Sequence, residues 1–186
     1  LFIRAIHTIY NSGYDVDYIS DNFIRSTGIK NGKLVTSGGS SYKALVIPAV
    51  RYMPADILSH LVQLAKEGAT IVFIGNYPED VPGFGDLDER RKRFRRAWEK
   101  LPATASFDET ETNSLQKGRI ITGSDYSLAL QACGVAREEM KTRFGLQCIR
   151  RSNADTITLS PLCRKKGSTA GYHWVFRPMP PSFSIR

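Results

Sequence analysis

The chain has 186 residues, a formal net charge of +8 and 41% hydrophobic residues, enough apolar material for one domain with a small appendage. No apolar run reaches the roughly 18 residues of a membrane span, and no charged segment is followed by the apolar stretch of a signal peptide. The sequence starts at Leu1 inside a run with helical spacing, so we expect a fragment of a larger protein.

The first half of the chain predicts strands alternating with a hairpin and a helix. In chain order, these elements cover residues 15–19, 29–35, 44–48, 54–68 and 70–75. The hairpin is indicated by Asn31-Gly32 between β-formers. The helix between two apolar strands has the length that a right-handed parallel crossover requires.

The second half predicts two more helices and two more strands. They cover residues 87–101, 118–122, 124–134 and 147–151. Ser124 or Asp125 is the predicted cap of the last helix and Gly134 its end. We therefore predict an α/β fold with a flavodoxin-like, doubly wound, mostly parallel sheet of four or five strands, flanking helices and a short β-hairpin. After a boundary near residue 140, we expect a β-rich or irregular C-terminal appendage.

Polar residues follow the predicted parallel strands. In open α/β sheets, ligands bind at the carboxyl ends of the strands. The candidate pocket there, which would be vestigial in a non-catalytic domain, consists of Ser20, Asp21, Asn76, Tyr77 and Ser124. Asp, Asn and Ser also cap helices and form turns, so a structural role for these residues is the alternative.

No motif indicates catalysis or metal binding. The sharpest strand-to-helix turn carries Asn76 where a nucleophile elbow needs Ser or Cys. The histidines His7, His60 and His173 are isolated in the sequence, and no glycine-rich loop follows a strand to open a helix. The three cysteines lack the spacing of a zinc site. We expect neither a cofactor nor a metal.

One helix is unusually basic, because seven of the 26 basic residues lie between Arg90 and Lys100. Such a helix can follow a phosphate backbone, with Phe94 and Trp98 as stacking faces. However, the spacing of these aromatics, continued at Leu101, favours a packed aromatic face with solvated arginines. We therefore predict that Phe94 and Trp98 face the sheet and that nucleic acid is not the partner.

Three stretches resemble a known family: YDVDYISDNFI, YKALVIPAVRYMPADILSHLVQLAKEGATIVFIGNYPEDVPG and GLQCIRRSNAD. Over about residues 1–155, the chain resembles the glutamine-amidotransferase-like domain of bacterial α-L-rhamnosidases of glycoside hydrolase family 106 and related glycan-degrading enzymes. The resemblance implies a flavodoxin-like domain behind a separate barrel that holds the catalytic carboxylates. No catalytic residue carries over, and Asn76 in place of the amidotransferase cysteine implies an inactive domain.

The resemblance ends at Asp155, where family members would continue into an aromatic-rich β-segment. The chain instead reads TITLSPLCRKKGSTAGYHWVFRPMPPSFSIR. A reading-frame change near Asp155 is the hypothesis that this suggests, and it would explain part of the excess positive charge. Resequencing the coding region tests it.

The predicted function is a non-catalytic accessory domain of a bacterial carbohydrate-degrading glycoside hydrolase. Its expected partners are other domains of the same polypeptide, with carbohydrate as the ligand class and no membrane. The resemblance implies a periplasmic or secreted parent. Two alternatives remain: an independent hydrolase or amidotransferase-like enzyme with an unrecognised site, and a nucleic-acid-binding module that uses residues 87–101.

Overall fold

A computed structural model describes residues 2–138, 142, 147–153, 156–162 and 174–175. The chain divides into two units. The first comprises Leu1–His7 with Val16–Val135, and the second comprises Thr8–Asp15 with Ala136–Arg186. Helix α1 (Phe2–Asn11) contributes residues to both units. Within the described ranges, no helix is long and apolar enough to cross a membrane.

A small antiparallel sheet comes first in the chain. It follows the short helix α2 (Asp21–Arg25) and consists of β1 (Gly28–Lys30), β2 (Lys33–Val35) and β3 (Ser41–Tyr42). Asn31 and Gly32 join β1 to β2 with φ of 52° and 70°, the two left-handed residues that a type I′ turn needs. The predicted hairpin is confirmed, and β3 adds a third strand to it.

A four-stranded mixed sheet forms the centre of the first unit. Its strands, in spatial order, are β4 (Leu45–Ile47), β5 (Thr70–Ile74), β7 (Gly118–Gly123) and β6 (Glu111–Leu115). The first three run parallel, whereas β6 pairs antiparallel with β7. All five residues of β5 are buried, as expected for a parallel strand covered on both faces.

Helices cover both faces of this sheet. They are α3 (Ala55–Glu67), α4 (Leu87–Trp98) and α5 (Tyr126–Ala132). Because side chains alternate along a strand, Ile71 and Phe73 join the apolar core with α3 and α4, and Val72 and Ile74 join the core with α5. The first unit is therefore a three-layer α/β structure.

The predicted boundary residues lie at the ends of α3 and α5. Pro54 directly precedes α3, and Gly68 follows it with φ 127°. The Asp125 carboxylate caps α5 by accepting the Leu128 N–H at 2.9 Å, a standard N-cap geometry. Gly134, with φ 68°, follows α5. Of the two predicted caps for this helix, Asp125 is the one used.

The structure differs from the predicted elements in three places: one predicted strand is absent, one strand was not predicted, and one helix ends earlier than predicted. Residues 15–19 form no strand, so the sheet has three parallel strands rather than four. Strand β6 was not predicted, because its sequence ETNSL is polar and its burial only alternates between half-buried and exposed, as at a sheet edge. Helix α4 ends at Trp98 rather than Leu101, because the last turn tightens to i→i−3 bonds ahead of Pro102.

The second unit contains an antiparallel sheet of β8 (Gln147–Asn153), β9 (Thr156–Leu162) and β10 (Trp174–Val175), with β9 in the middle. The predicted strand over 147–151 is confirmed within β8. In the same unit, the Gly13 carbonyl accepts the Glu138 N–H at 2.8 Å. The domain boundary near residue 140 stays a prediction. The aberrant tail proposed after residue 155 lies mostly outside the described residues.

Candidate functional site at the carboxyl ends of the parallel strands

The loops that leave β4 and β5 run side by side. Tyr52 and Asp80 form a parallel bridge. The Met53 N–H donates to the Asp80 carbonyl at 3.0 Å, and the Glu79 N–H donates to the Arg51 carbonyl at 2.9 Å. These bonds continue the pairing of β4 with β5 beyond the strands, and they satisfy backbone groups that the loops would otherwise leave unpaired. The two loops therefore have a defined relative geometry.

The turn directly after β5 is shaped by a glycine and held by hydrogen bonds from the Asn76 side chain. Gly75 has φ 82°, a conformation that glycine adopts without strain, and a Cβ there would lie 3.1 Å from Ala49 Cβ. The Asn76 amide nitrogen donates to the carbonyls of Val50, at 3.2 Å, and Tyr77, at 2.8 Å. The side chain at the position of a nucleophile thus braces the turn.

Tyr77 belongs to an aromatic cluster. Its ring meets Phe73, Phe107 and Trp98 edge to face, with centroid distances of 5.0, 5.1 and 6.4 Å. Its hydroxyl donates to the Pro102 carbonyl at 3.2 Å. Burial raises the pKa of this phenol above its ordinary value, so it stays neutral at physiological pH and acts as a packing residue with a satisfied polar end.

Ser124 lies at the same edge of the sheet as Asn76 and Tyr77. Strands β5 and β7 are parallel neighbours, with Ile74 opposite Gly123, so Asn76 and Ser124 follow adjacent strand ends. The Ser124 side chain is exposed. The structure therefore brings three of the five predicted pocket residues to one edge.

Ser20 and Asp21 have a different position, because residues 15–19 are not a strand. Ser20 is the N-cap residue of α2 but makes no side-chain cap hydrogen bond, and Asp21 lies in the first turn, where a carboxylate is favourable. Helix α2 packs on α3, and Arg25 Nε lies 2.7 Å from Asp56 Oδ2. Ser20 and Asp21 are both exposed. A vestigial pocket that includes them stays a prediction.

The strongest electrostatic contact near the strand ends was not predicted from the sequence. Arg91 of α4 donates two hydrogen bonds to Asp80, from Nε to Oδ1 at 2.9 Å and from Nη2 to Oδ2. The Arg91 hydrogen bonds, helped by the Val81 N–H, lower the pKa of Asp80 to about 2. A carboxylate held ionised in this way is a poor general acid and serves to fix the loop to the helix.

The other potentially reactive side chains either make structural contacts or lie exposed. His7 is exposed, and a ring nitrogen of His60 lies 3.2 Å from the Thr27 carbonyl. The Cys133 thiol donates to the Ala129 carbonyl at 3.1 Å, and burial raises its pKa to about 11, which keeps it protonated and unreactive at neutral pH. In the described part of the chain, no three His, Cys, Asp or Glu side chains are grouped to hold a metal.

Several cations of the basic helix are used within the domain. Arg90 donates to three carbonyls of the preceding loop, Arg91 binds Asp80, and Lys92 Nζ lies 3.8 Å from Glu89 Oε2. The side chains of this helix are therefore not simply a solvated positive surface.

The prediction for the two aromatics is half right. Phe94 is 3% exposed and packs in the core, as predicted, but Trp98 is 45% exposed, so its predicted burial is wrong. The reason lies in the indole N–H, which donates to the Pro78 carbonyl at 3.1 Å. That bond fixes the indole ring, which lies partly against Tyr77 and partly in solvent.

Comparisons with known proteins show which family this chain belongs to. The model of glycoside hydrolase family 106, alpha-L-rhamnosidase, matches residues 3–156. A protein named "Putative beta-glucuronidase" from Formosa agariphila is 34% identical over 85 residues, which is 44% of this chain and 7% of that protein. The solved rhamnosidase from Novosphingobium sp. PP1Y shares the fold with a TM-score of 0.56 and 24% identity, over 78% of this chain and 14% of that one.

The chain thus spans a small part of the length of these relatives. The family match ends at residue 156, one residue beyond Asp155, where the sequence resemblance stops. The match nevertheless covers most of the chain, including the whole sheet and the loops at its carboxyl edge. The chain belongs to glycoside hydrolase family 106, the alpha-L-rhamnosidase family.

Proposed function

We propose that this chain is a non-catalytic accessory domain of a larger carbohydrate-degrading glycoside hydrolase of the α-L-rhamnosidase type. Its expected partners are the other domains of the same polypeptide, which it helps to hold in place. The fold proposed for it is flavodoxin-like and related to glutamine amidotransferases. Three parallel strands with helices on both faces support that assignment.

One observation carries the non-catalytic role. In the loop directly after β5, where the sequence predicts the position of a nucleophile, the amide of Asn76 is bonded to two backbone carbonyls, and residues 77–86 separate Asn76 from α4. An amide in this position neither attacks a carbonyl carbon nor transfers protons near neutral pH. The carboxylate of Asp80 in the same loop is bound to Arg91, so neither Asn76 nor Asp80 is a nucleophile or a free acid.

The half-exposed Trp98 favours one alternative, a nucleic-acid-binding module. Arg93 and Arg96 are also exposed on the same helix. Against it, Phe94 is buried, so only one aromatic can stack on a base, and Arg91 is bound to Asp80. Titration with single-stranded DNA at two salt concentrations decides the point, because phosphate contacts weaken steeply with salt.

An activity assay tests the accessory role. The chain is incubated with an aryl α-L-rhamnoside and, separately, with glutamine, and we expect no turnover above a buffer control. The matched control is the intact Novosphingobium rhamnosidase on the aryl rhamnoside. Deleting the segment of that enzyme that corresponds to this chain should lower its thermal stability. Turnover of either substrate by the isolated chain, or a deletion without effect on stability, would contradict the proposal.

A further inference from the structure

An open cavity of about 430 Å³ lies between α4 and the loop after β5. Its volume falls in the lower part of the range for small-molecule pockets, which suits a ligand the size of a monosaccharide. Its charged lining residues are Glu79, Asp80, Arg91, Arg95 and Glu99. Trp98 supplies a large, partly exposed aromatic surface.

The Trp98 ring is held in one orientation before any ligand arrives. Its N–H donates to the Pro78 carbonyl at 3.1 Å, and the Tyr77 ring supports it nearly at right angles, at 82°. Tyr77 is itself packed between Phe73 and Phe107. An exposed aromatic face that is already fixed loses little conformational entropy when something stacks on it.

The lining of the cavity carries no excess positive charge that would attract an anion. Three carboxylates and two guanidinium groups line it, a formal charge of −1 from three negative and two positive groups. Asp80 and Arg91 are bound to each other, and Glu79 lies 3.1 Å from Arg51. Glu99 has no hydrogen bond or ion pair from its side chain within the described residues. Arg95 is likewise without a hydrogen-bond partner there.

Arg95 and Glu99 are therefore available to a ligand. Glu99 is the C-cap residue of α4, four residues after Arg95, so the two side chains lie on one face of the helix end. A guanidinium donates hydrogen bonds and a carboxylate accepts them. A pair of neighbouring hydroxyl groups, each both donor and acceptor, matches that arrangement, and the non-polar face of a sugar ring matches an indole.

We propose that this cavity binds a neutral pyranose, which stacks on Trp98 and places two adjacent hydroxyls on Arg95 and Glu99. The choice of carbohydrate rests on the proposed function, whereas the choice of a neutral ligand rests on the nearly balanced charges of the cavity. The site is a binding site and not a catalytic one. In the parent enzyme it would hold a sugar unit away from the catalytic domain.

The test is an NMR titration of the full chain carrying Trp174→Phe, so that Trp98 gives the single indole signal of the two tryptophans. The ligands are methyl α-L-rhamnopyranoside, methyl β-D-glucopyranoside and sodium glucuronate. We expect a saturable shift of the Trp98 indole signal with one or both neutral sugars, at a Kd of about 1–10 mM for a ligand this small. Glucuronate should bind no more tightly than the neutral sugars, because the cavity has no excess positive charge.

Variants distinguish the residues that line the cavity from other residues of the basic helix. Glu99→Gln and Arg95→Gln should each weaken neutral-sugar binding by about tenfold, the loss typical of a charge-assisted hydrogen bond. Arg96→Gln, on the same helix but outside the cavity lining, is the matched control and should leave the Kd unchanged.

Three results would overturn the site: no saturable shift at concentrations well above the expected Kd, glucuronate binding more tightly than either neutral sugar, or an equal loss in Arg96→Gln. Product signals from the rhamnoside in the same spectra would contradict the accessory role, whereas a shift without product supports both proposals. The absence of both shift and product would contradict the sugar site alone.

Discussion

Helices α3 and α4 lie next to each other on one face of the same sheet, yet they are held there in different ways. α3 buries seven of its thirteen residues, whereas α4 buries two of twelve, Phe94 and Ala97. Polar contacts secure the remainder of α4: Arg90 binds the preceding loop, Arg91 binds Asp80, and the Trp98 indole binds a backbone carbonyl. One helix is placed by apolar packing, the other largely by hydrogen bonds and charge.

This difference separates the roles of the two helices. Burial of apolar area is the larger source of stability, so α3 is expected to carry much of the folding free energy of the first unit. The contacts of α4 are fewer, more exposed and directional. They leave side chains free at the carboxyl edge of the sheet, where the candidate cavity lies.

The largest effect is expected from a cavity in α3. Leu61 is 1% exposed in the main core, so Leu61→Ala removes buried methyl groups and leaves a space that the tightly packed sheet fills poorly. We expect a loss of about 3–5 kcal/mol in the free energy of unfolding, measured by urea denaturation. Gln63→Ala, at an exposed position of the same helix, is the control and should change stability by less than about 0.5 kcal/mol.

A second effect comes from the close approach of α3 to β7. A Cβ on Gly118 would meet the carbonyl oxygens of Ala65 and Ala69, which are backbone atoms and cannot turn aside. Gly118→Ala should therefore cost about 2–3 kcal/mol, the upper part of the usual range for overpacking. In Gly28→Ala the new methyl group meets nothing within 4 Å, so equal melting temperatures for the two variants would show that α3 is less firmly seated than proposed.

The contrast between locally packed elements and elements held by distant contacts also explains what the sequence could predict. The apolar period of α3, the continuous apolar strand β5 and the Asn31-Gly32 turn are local patterns, and each was confirmed. Strand β6 was missed because an edge strand need not be apolar. Residues 15–19 show strand-like alternation without a partner strand, because pairing is a property of the tertiary structure rather than of the segment.

The candidate site shows the same limit. The turn at Asn76 was identified because its position follows from the strand that precedes it. The Asp80–Arg91 pair joins residues eleven apart along the chain, and nothing in residue spacing distinguishes Arg91 from the neighbouring arginines of α4. Trp98 was assigned to the packed face by its period, but its ring is 45% exposed and its N–H donates to the Pro78 carbonyl, a contact that residue spacing does not reveal.

A third prediction concerns the loop that precedes α4. Arg90 donates to the carbonyls of Gly85, Pro82 and Gly83 at 2.6, 2.5 and 3.0 Å, and Phe84 in this loop is 93% exposed. Arg90→Gln should lower the free energy of local opening by about 1 kcal/mol, because the bonds are solvent-accessible. Since cleavage follows the population of the open loop, chymotrypsin should cut after Phe84 about fivefold faster.

Arg93→Gln is the matched control for that experiment. Arg93 lies on the same helix and is exposed, so its replacement removes the same charge without touching the loop carbonyls. An equal acceleration in both variants would mean that net charge, and not the hydrogen bonds of Arg90, protects the loop.

The smallest effect, and the one that best distinguishes the two helices, depends on pH. The pKa of Asp80 is lowered from 3.8 to about 2, chiefly by the Arg91 hydrogen bonds. Because the folded-state pKa is depressed, the pair contributes stability above the unfolded-state pKa and loses it as the pH falls from about 4 through about 2. Asp80→Asn should therefore lower the melting temperature slightly at pH 6, and the difference from wild type should shrink below about pH 4 and vanish below about pH 2.

Arg91→Gln should show the same course, since it removes the other half of the pair. Leu61→Ala removes only apolar contacts, so its stability difference from wild type should stay nearly constant over that pH range. A pH-independent difference for Asp80→Asn would mean that the ionised carboxylate contributes little to stability, because its bonds to Arg91 and to the Val81 N–H both weaken when it is protonated. In that case α4 would depend on Phe94 and Ala97 more than on charge, and the distinction between the two helices would be one of degree.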